Sequence, residues 1–454
     1  MTMSYKEALK DLMSLTDFGI ISNNKTAKKR RYDLSRIINF STLVGNPENS
    51  SPNVHVAGTK GKGSTSVFVS SILKTEGYKT GLFTSPHIHK LTERIQIGSE
   101  EISKKKFSNS FYELWPLVQQ YNEKHSDDQI TLFEFLTILA FYIFDKEKTD
   151  INVIEVGLGG TLDSTNILSP LISIITSISL DHTGILGNTL EEVALQKSGI
   201  IKPDKMTVIA PQQPEVLKIL KEVCEEKNNK YIAIQDSCDI TPVHKSKEFQ
   251  TYTIDSVFGK DSLTIPLLGD YQIENSAAAF ITAKLLQTTN FPISETSIAK
   301  GFKDTYWPCR LEKVSNNPMI ILDGAHNPYS IEKMIHAIFD YYSFRNITII
   351  LGTSKDKDIA AMVKILLDND QGRAKYIATH SRHPKHTPTN VIKDTFQHFG
   401  ITIRAVNSIK KSIDIAKTLS KPDDLILVTG SLFIAAEARE KILGISKENY
   451  LFNS

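Results

Sequence analysis

The chain has 454 residues, which is long enough for about two or three domains. It carries 53 lysine and arginine residues against 51 aspartate and glutamate residues, so its formal net charge is +2. This balance excludes a surface built mainly to hold a polyanion such as nucleic acid. Hydrophobic residues make up 40% of the chain and charged residues 23%, proportions that are typical of globular proteins and exclude wholesale disorder.

The N-terminus carries charged residues where a signal peptide would have an apolar run. The most apolar stretch, residues 135–144, is shorter than the about 20 residues that a membrane-spanning helix needs. The three cysteines are too widely spaced to predict a disulfide framework or a zinc site. We interpret the basic residues 28–31 as the solvated face of a helix. We therefore expect a cytoplasmic protein with reduced thiols that binds neither membranes nor nucleic acid.

Polar, helical sequence fills the first fifty residues, and an alternation of apolar strands with helical stretches begins at Val54. This alternation predicts a parallel sheet covered by helices. The predicted strands of this first series lie at residues 54–58, 78–86, 151–157 and 171–182. Residues 231–267 contain short β segments of a different kind, which we expect to form a small antiparallel excursion.

A second alternating series begins near residue 318, with strands predicted in PMIILDG, NITIILG, KYIATH and DLILVTG. The helical stretches of this series lie near residues 329–341, 357–368, 390–398 and 432–442. Between the two series, the Trp307-Pro308 step follows a helical stretch, which is typical of a joint between domains. The sequence therefore predicts an α/β protein with two successive parallel-sheet units.

A glycine-rich segment, GTKGKGS, lies at residues 58–64 between the first predicted strand and a helix. Gly58, Gly61 and Gly63 would let backbone N–H groups close on phosphates, and the N-terminus of the helix adds a positive dipole. Lys62 would then meet the β- and γ-phosphates of a nucleotide, with the Ser64 hydroxyl near Mg²⁺. The spacing departs from the standard GxxxxGKS/T pattern, so an ordinary glycine-rich turn is the alternative.

Two polar residues lie near the ends of apolar strands of the first series, where open α/β sheets place ligands. Glu155 stands within a strand that otherwise reads as buried, which is costly unless the carboxylate is paired or binds a metal. The alternative for Glu155 is an edge strand that faces water. His182 ends the predicted strand 171–182, and either metal binding or capping of the next turn suits it.

Lys197 lies on an apolar helix stripe. Thr189 and Glu192 form a T-x-x-E capping box that starts the helix, and positions 190, 193, 194 and 197 then share one face. A lysine there either extends to water or is buried with a partner or with a lowered pKa. The same capping pattern at Thr131 and Glu134 gives Glu134 a structural role rather than that of an acid or base.

In the second half of the chain, Asp323 and His326 follow a predicted strand within the segment DGAHNP. Arg310 lies shortly before them, on the predicted joint. Short polar residues at the end of a strand again indicate a site, although the same residues suit an ordinary turn.

Taken together, these segments resemble the folylpolyglutamate synthases of the Mur ligase superfamily, whose members form amide bonds with ATP. The matching motifs occur in the order of that family over nearly the whole chain: GTKGKGS, TSPH, EVGLGGTLDSTN, SLDHTGILG, QKSGIIKP, WPCRLE and DGAHNP. The resemblance implies a P-loop-containing, parallel-sheet ATPase and folate-binding domain at residues 1–305. It also implies a smaller Rossmann-like glutamate-ligase domain at residues 306–454.

The activity implied by the resemblance is ATP-dependent ligation of L-glutamate to the γ-carboxylate of a reduced folate, through an acyl phosphate. ATP, two Mg²⁺ ions and a carbamylated Lys197 are implied as well, and we expect a monomer. A bifunctional enzyme that also acts on dihydropteroate is the alternative, and a P-loop kinase or regulatory NTPase is a more distant one. A cell-wall Mur ligase is disfavoured, because residues 1–57 are too few for the substrate domain that typically precedes the P-loop.

Carried over position by position, the resemblance assigns site residues in four groups. The expected nucleotide contacts are Gly58, Gly61, Lys62, Gly63, Ser64, Asn275, Arg310 and Asp323. The expected Mg²⁺ ligands are Ser85, Glu155 and His182. The expected catalytic residues are Lys62, Lys197, His326 and Ser431, and the expected contacts on the pterin side of the folate are Phe133 and Asp163.

The chain departs from the family pattern in two places. Thr161-Leu162 stands where many members have Arg-Leu, so a cationic contact is expected to be missing. Cys309 replaces a common glycine, and we expect it to stiffen the joint. The sequence leaves the one-carbon form of the folate and the length of the product open.

Overall fold

The structure is a computed structural model that describes residues 4–15 and 33–448. The basic residues 28–31, interpreted above as a solvated helix face, lie outside the described residues. Among the residues that are described, no helix is both long and apolar enough to cross a membrane.

The first sheet has eight strands in the order β4-β3-β2-β5-β1-β6-β7-β8. Six of them run parallel, and the short strands β3 and β4 add an antiparallel edge. The strands are β1 (Asn53–Ala57), β2 (Thr80–Phe83), β3 (Ile95–Ile97), β4 (Glu100–Glu101), β5 (Ile151–Glu155), β6 (Ile172–Ile175), β7 (Met206–Ile209) and β8 (Lys230–Ala233).

The helices of this part of the chain pack on both faces of the sheet, as predicted. They are α1 (Tyr5–Leu12), α2 (Ser35–Val44), α3 (Lys62–Glu76), α4 (Lys104–Lys124), α5 (Leu132–Glu147), α6 (Thr183–Leu186), α7 (Leu190–Ser198), α8 (Pro214–Glu226), α9 (Ile234–Ser237), α10 (Asp270–Gln287) and α11 (Glu295–Lys303). Short 3₁₀ turns lie at Pro47–Asn49, Leu91–Arg94 and Ser164–Ile167.

Apolar side chains on the two faces of β1 enter different cores. Val54 and Val56 pack in one core with Phe68 of α3 and Phe302 of α11. Ala57 points to a second core, which is completed by α7 and α8. Every residue of β1 and of β5 is buried, including the polar His55 and Glu155, as expected for inner strands of a parallel sheet that is covered on both faces.

The strand predicted over residues 171–182 is wrong in its second half, because β6 ends at Ile175. Beyond that point the chain pairs with the glycine-rich segment instead of a neighbouring strand. The backbone N–H groups of Thr59 and Lys60 both donate to the carbonyl oxygen of Ser177, at 2.9 and 3.1 Å. The end of β6 is therefore used to hold the loop at residues 58–61.

The antiparallel excursion is confirmed as a three-stranded sheet in the order β11-β10-β9. Its strands are β9 (Cys238–Lys245), β10 (Gln250–Ser256) and β11 (Gly259–Ile265). Tyr252 and Ile254 of β10 join the core beneath α10, and the Tyr252 hydroxyl lies 2.7 Å from Ser276 Oγ on that helix. This small sheet therefore braces the helix that carries Asn275.

The second large sheet has six strands in the order β12-β13-β17-β14-β15-β16, and only β12 is antiparallel to its neighbour. The strands are β12 (Glu312–Asn316), β13 (Met319–Leu322), β14 (Ile347–Leu351), β15 (Ala374–Ala378), β16 (Arg404–Ala405) and β17 (Leu425–Thr429). Its helices are α12 (Pro328–Tyr341), α13 (Ile359–Asn369), α14 (Thr389–His398), α15 (Ile409–Leu419) and α16 (Leu432–Leu443).

Helices α12, α13 and α14 cover one face of this sheet, and α15 and α16 cover the other. Sequence analysis missed α15, although Ile409, Ile413 and Ala416 have helical spacing and are all buried. The other helices of the second series are confirmed within a few residues of their predicted ends.

The two large sheets are joined by a network of polar side chains as well as by the chain. Arg439 of α16 contacts Glu312, and its guanidinium NH1 lies 3.0 Å from Nε2 of His89 in the loop after β2. Glu440 lies 3.6 Å from Nδ1 of the same histidine. Near the end of the described chain, Glu448 accepts a hydrogen bond of 3.0 Å from the N–H of Leu91.

The capping box predicted at Thr131 and Glu134 is confirmed, and it is part of a buried ion pair. Arg36 of α2 donates from Nε to Glu134 at 3.0 Å and forms a second ion pair of 2.7 Å with Asp128. Both Arg36 and Glu134 are buried. The structural role expected of Glu134 is therefore confirmed, since its carboxylate connects α5 to α2.

We expect Arg36→Met to lower the free energy of unfolding by about 3 kcal/mol, because it leaves the Glu134 carboxylate buried without its guanidinium. Urea unfolding followed by circular dichroism measures the loss. The control is Arg36→Met combined with Glu134→Gln, which removes the charge but keeps an acceptor for the cap. The double variant should be more stable than Arg36→Met, and equal or lower stability would contradict this account.

Candidate functional site

A cleft of about 700 Å³ lies between the two large sheets. Its walls come from the loops after β1, β5 and β6 of the first sheet and from the loops after β13, β14 and β17 of the second. These are the carboxyl ends of parallel strands, where open α/β sheets bind ligands. The cleft is lined by all the residues that the sequence analysis proposed as site residues, which are Gly58, Gly61, Lys62, Gly63, Ser64, Ser85, Phe133, Glu155, Asp163, His182, Lys197, Asn275, Arg310, Asp323, His326 and Ser431.

The glycine-rich loop at residues 58–61 is held by contacts that leave no room for a side chain. A Cβ atom on Gly58 would lie 1.8 Å from Thr176 Oγ1, and one on Gly61 would lie 2.0 Å from Asn275 Oδ1. Gly61 also has a φ of 91°, a left-handed conformation that favours glycine. The ordinary-turn alternative is therefore insufficient, because the loop is fitted closely between β6 and α10 and leads directly into helix α3.

Three lysines surround this loop. The ammonium groups of Lys62 and Lys197 both donate to the carbonyl oxygen of Gly58, at 3.2 and 2.9 Å. The ammonium group of Lys60 forms an ion pair of 2.8 Å with Asp181. A concentration of positive charge beside a helix N-terminus is a binding site for phosphates.

Lys197 is buried, with only 3% of its surface exposed. The alternative in which it extends to water is therefore wrong. Burial, and next the positive charge of Lys62, lowers its pKa from 10.5 to about 7. Its ammonium group donates a hydrogen bond to a neutral carbonyl group, so a substantial fraction of its amine is uncharged at neutral pH.

Glu155 ends β5, which lies between β2 and β1 in the sheet. The edge-strand alternative is therefore wrong. Its carboxylate is buried and accepts a hydrogen bond of 3.0 Å from the N–H of Ser85. Burial raises the pKa of Glu155, and the positive charge of Lys62 acts against that rise. The Glu155 carboxylate, held by the backbone of Ser85, thus places an acidic group on the wall of the cleft.

Asp181 is the centre of the largest group of charges in the cleft. Besides Lys60, it contacts Lys357 at 3.2 Å, Asn327 at 3.3 Å and His326 at 3.8 Å. Burial alone would raise the pKa of Asp181, but the positive charges of Lys60 and Lys357 hold it well below its ordinary value. Asp181 and Lys60 belong to the first sheet and the other three to the second, so one carboxylate connects the two walls.

His182 and His326 lie on opposite walls of the cleft. His182 begins the short helix α6 with a φ of 51°, makes no side-chain cap, and has 47% of its side chain exposed. His326 has Nε2 at 3.1 Å from Lys60 Nζ and Nδ1 at 2.9 Å from the carbonyl oxygen of Gly324. Because the ammonium and the Nδ1–H group both donate, His326 is neutral, and burial lowers its pKa.

The joint between the sheets supplies Arg310 and Asp323. The buried Asp323 carboxylate accepts hydrogen bonds from the N–H groups of Leu311 and Ala325, at 2.9 and 2.8 Å, while burial raises its pKa. Cys309 has a φ of 58°, a left-handed conformation that is strained for a residue with a side chain. This conformation explains why a glycine suits the position.

Phe133 and Asp163 lie on the wall formed by the loop after β5. The Phe133 ring packs on Gly157, where a Cβ atom would lie 2.4 Å from it. The Asp163 carboxylate accepts hydrogen bonds from the N–H groups of Leu158 and Thr165, at 2.8 and 3.0 Å. Thr161 donates both its N–H and its hydroxyl to the carbonyl oxygen of Gln196.

Sequence analysis missed Lys60, Asp181 and Lys357 as site residues. Lys60 and Asp181 stand beside residues that were singled out, so their positions in the motifs were a usable signal. Lys357 has no such signal, because it becomes part of the site only through Asp181, which is 176 positions away in the sequence.

Comparison with known proteins agrees with the motifs. The family model described as the Mur ligase middle domain matches residues 56–283, and the model of the Mur ligase glutamate ligase domain matches residues 309–432. The folylpolyglutamate synthase of Lacticaseibacillus casei is 33% identical over 91% of this chain and 95% of that protein. The chain belongs to the folylpolyglutamate synthase family of Mur ligases.

Two further relatives extend the comparison. A protein of Bacillus subtilis (strain 168) named dihydrofolate synthase/folylpolyglutamate synthase is 32% identical over 90% of this chain and 94% of its own length. A solved folylpolyglutamate synthase complex with AMPPCP and folate has 30% identity and a TM-score of 0.84, and the match covers 97% of this chain and 100% of that one.

We expect Gly61→Ala to weaken nucleotide binding by at least about tenfold, because the new methyl group must displace the Asn275 side chain as well as strain the backbone. The matched control is Gly77→Ala, since Gly77 has a φ of 108° and open space around its Cβ position. Titration with a fluorescent ATP analogue measures the affinity. Equal affinities for the two variants would contradict the account that the close fit of the loop requires glycine at residue 61.

Proposed function

We propose that the chain is an ATP-dependent ligase that joins the amino group of L-glutamate to the γ-carboxylate of a reduced folate. The observation that carries this proposal is the cleft in which a phosphate-binding loop on the first sheet faces His326 and Lys357 on the second, across Asp181. Membership of the folylpolyglutamate synthases supports the substrate class.

The chemistry requires an activated carboxylate, because a carboxylate by itself is a poor acyl donor. Transfer of the γ-phosphoryl group of ATP to the folate γ-carboxylate would give an acyl phosphate and ADP. The glutamate amine would then attack the acyl carbon, forming the amide bond as the bond to the phosphate oxygen breaks. The ammonium group loses one proton before this attack and a second as the amide forms.

The positive groups of the first sheet suit the phosphoryl transfer. Lys62 and the backbone N–H groups of the loop would meet the charge that develops on the phosphoryl oxygens. For the nucleotide we propose the contacts Gly58, Gly61, Lys62, Gly63, Ser64, Asn275, Arg310 and Asp323. The second sheet supplies the groups that would act at the glutamate end, and for this role we propose His326 and Ser431.

His326 suits the amine because it is neutral. Burial lowers its pKa, so its Nε2 atom retains a lone pair that can accept a proton from an ammonium group. In the structure that lone pair faces the ammonium group of Lys60 at 3.1 Å. We infer that the ammonium group of glutamate binds near this nitrogen when substrates are present.

Ser85, Glu155 and His182 are the residues proposed to hold Mg²⁺. The buried Glu155 carboxylate beside a serine offers the hard oxygen ligands that Mg²⁺ prefers. Among the described residues no group of three His, Cys, Asp or Glu side chains forms a complete cage, which suits an ion that keeps waters and shares phosphate oxygens. Bound there, Mg²⁺ would supply positive charge for the phosphoryl oxygens.

The remaining assignments follow from the placement of the cleft. We propose a boundary between residues 305 and 306, since α11 ends at Lys303 and the second sheet begins with β12 at Glu312. Phe133 and Asp163 are proposed for the pterin side of the folate. We also propose that the protein is a monomer and acts in the cytoplasm.

The experiment that tests the function measures ADP release with tetrahydrofolate or dihydropteroate, each with and without L-glutamate. We expect release with tetrahydrofolate to depend on L-glutamate, and mass spectrometry should show a product that is one glutamyl unit heavier. A rate of ADP release that is the same with and without the folate substrate and L-glutamate, but is increased by a partner protein, would favour a regulatory NTPase instead. The dihydropteroate assays test a bifunctional enzyme, a reading favoured by the Bacillus subtilis relative.

We expect Glu155→Gln to raise the Mg²⁺ concentration needed for half-maximal activity by about tenfold or more, because the amide is neutral and a weaker ligand for a hard cation. The control is Glu134→Gln, which alters another buried glutamate whose carboxylate is occupied by Arg36. If Mg²⁺ titrations of the Glu155 variant and the parent protein overlay, the metal assignment is wrong.

We expect Lys197 to react with CO₂ as its neutral amine, forming a carbamate and releasing a proton. With a pKa of about 7, its neutral fraction is about one half at pH 7 and falls to about one tenth at pH 6. Chemical trapping of the carbamate at fixed dissolved CO₂, read by mass spectrometry, should therefore increase from pH 6 to pH 8. Lys284 is the internal control, since it is buried in an ion pair with Glu295.

Lys197→Ala should lose most of the activity, and Lys197→Arg should not restore it, because a guanidinium keeps its charge and cannot form a carbamate. A short carboxylic acid added to Lys197→Ala should restore part of the activity. Equal trapping at Lys197 and Lys284, or an active Lys197→Arg variant, would contradict the carbamate assignment.

A further inference from the structure

We propose that His55 is a positioning residue for the folate wall of the cleft, acting through Thr165 on Asp163. The wall concerned is the segment at residues 157–166, here called the folate-side loop. The inference rests on the proposed function, because it assigns the loop to the folate substrate. It concerns a residue that lines no part of the cleft and lies three positions before the phosphate-binding loop.

His55 occupies the middle of β1, where its neighbours across the sheet are Ile154 of β5 and Ser173 of β6. It is completely buried. Burial, and next the charge of Lys202, lowers its pKa to about 3, so the imidazole is neutral throughout the physiological range. A charge switch at this position is therefore excluded, and only the hydrogen bonds of the neutral ring are available to it.

The hydrogen bonds form a chain that runs from the sheet to the cleft. Nε2 of His55 lies 2.8 Å from the Thr165 hydroxyl, and that hydroxyl donates to the Asp163 carboxylate at 2.5 Å. Because the hydroxyl proton is directed to the carboxylate, its oxygen accepts from His55, which must carry its proton on Nε2. His55 is therefore a donor, and each hydrogen bond is donated toward the cleft, from His55 to Thr165 and from Thr165 to Asp163.

This arrangement has a measurable cost. Among the described residues, none forms a hydrogen bond with the buried Nδ1 of His55, and an unpaired buried nitrogen disfavours the position by about 1–3 kcal/mol. A valine or isoleucine in a buried strand incurs no such cost. Packing alone therefore does not account for the imidazole, whereas the donated hydrogen bond to Thr165 does.

Asp163 connects the hydrogen bonds of His55 and Thr165 to the backbone of the folate-side loop. Its carboxylate also accepts hydrogen bonds from the N–H groups of Leu158 and Thr165, so it closes the loop on itself. Leu158, Leu162 and Asp163 all line the cleft. On its other side the loop is fixed to α7, since the N–H of Thr161 donates to the carbonyl oxygen of Gln196 at 2.8 Å.

The consequence concerns the distance between two substrates. Strand β1 contains His55 and leads directly into Gly58 of the phosphate-binding loop. The folate-side loop and the phosphate-binding loop are therefore both attached to the same strand. The folate carboxylate must meet the γ-phosphorus of ATP closely, and an error of about 1 Å in such an alignment costs about 100-fold in rate. Fixing the folate-side loop to β1 keeps the two binding sites in register.

The test uses paired variants of the full-length protein. His55→Leu and Thr165→Val each remove one hydrogen bond of the His55–Thr165–Asp163 series without placing a new polar group in the core. His55→Gln keeps a hydrogen-bond donor, and Thr165→Ser keeps the hydroxyl. We expect the first pair to lower kcat and to raise the KM for the folate substrate about tenfold, with the KM for ATP changed less than about twofold. The second pair should stay within about threefold of the parent for both substrates.

Two further variants separate positioning from stability. Ser173→Ala removes a buried hydrogen bond of 2.7 Å to the carbonyl oxygen of Ile200, on the strand next to His55 but not in the chain. It should lower the melting temperature without changing the KM for folate. The double variant His55→Leu with Thr165→Val should be no worse than the worse single variant, since both break the same chain.

The proposal is wrong if the His55→Leu and Thr165→Val proteins are folded and bind folate as the parent does, measured directly by calorimetry in the absence of ATP. It is also wrong if their KM values for folate and ATP rise together, or if Ser173→Ala has the same effect. A parent protein that binds folate but makes no glutamyl product would overturn the proposed function instead, and the binding comparison would still decide the role of His55.

Discussion

The architecture of the site depends on how the chain accommodates several lysines around one turn of backbone. Lys62 and Lys197 share the carbonyl oxygen of Gly58 as an acceptor, and Lys60 takes the carboxylate of Asp181. Like charges in a poorly solvated place repel one another, which contributes to the lowered pKa of Lys197. An anionic phosphate chain is the natural complement of such a cluster. The tight fit of Gly58 against Thr176 fixes the shared acceptor and with it the geometry of the site.

Asp181 connects this cluster to the second sheet. Its carboxylate contacts Lys60 on one wall and Lys357 on the other, so the two walls share one negative charge. The network of His89 with Arg439 and Glu440 holds the sheets together away from the cleft. The two walls of the ligase site are therefore in contact both away from the cleft and at the polar centre within it.

Part of the candidate site could be predicted from local signals in the sequence, whereas Ser85, Asn275 and Ser431 were implied only by the family resemblance. The glycine spacing at residues 58–64, the carboxylate within the apolar run at Glu155, and the stripe that includes Lys197 all depend on neighbouring residues. Helical and strand periodicities translate such neighbours directly into faces and ends of elements. The same local reasoning failed after Ile175, where apolar residues continue but the chain pairs with Thr59 and Lys60 instead of a strand.

The sequence alone thus determined the α/β class, the order of the two sheets and the residues near each strand end. Only the tertiary structure decided which of those residues meet, because parallel strands bring together groups far apart in the chain. Lys357 forms an ion pair with Asp181, and the N–H of Ser85 donates to Glu155. The Asn275 side chain leaves no space for a Cβ atom at residue 61. The buried position of Lys197 also decided between its two alternatives. The helix stripe shows which way the side chain points, but not whether other elements cover it.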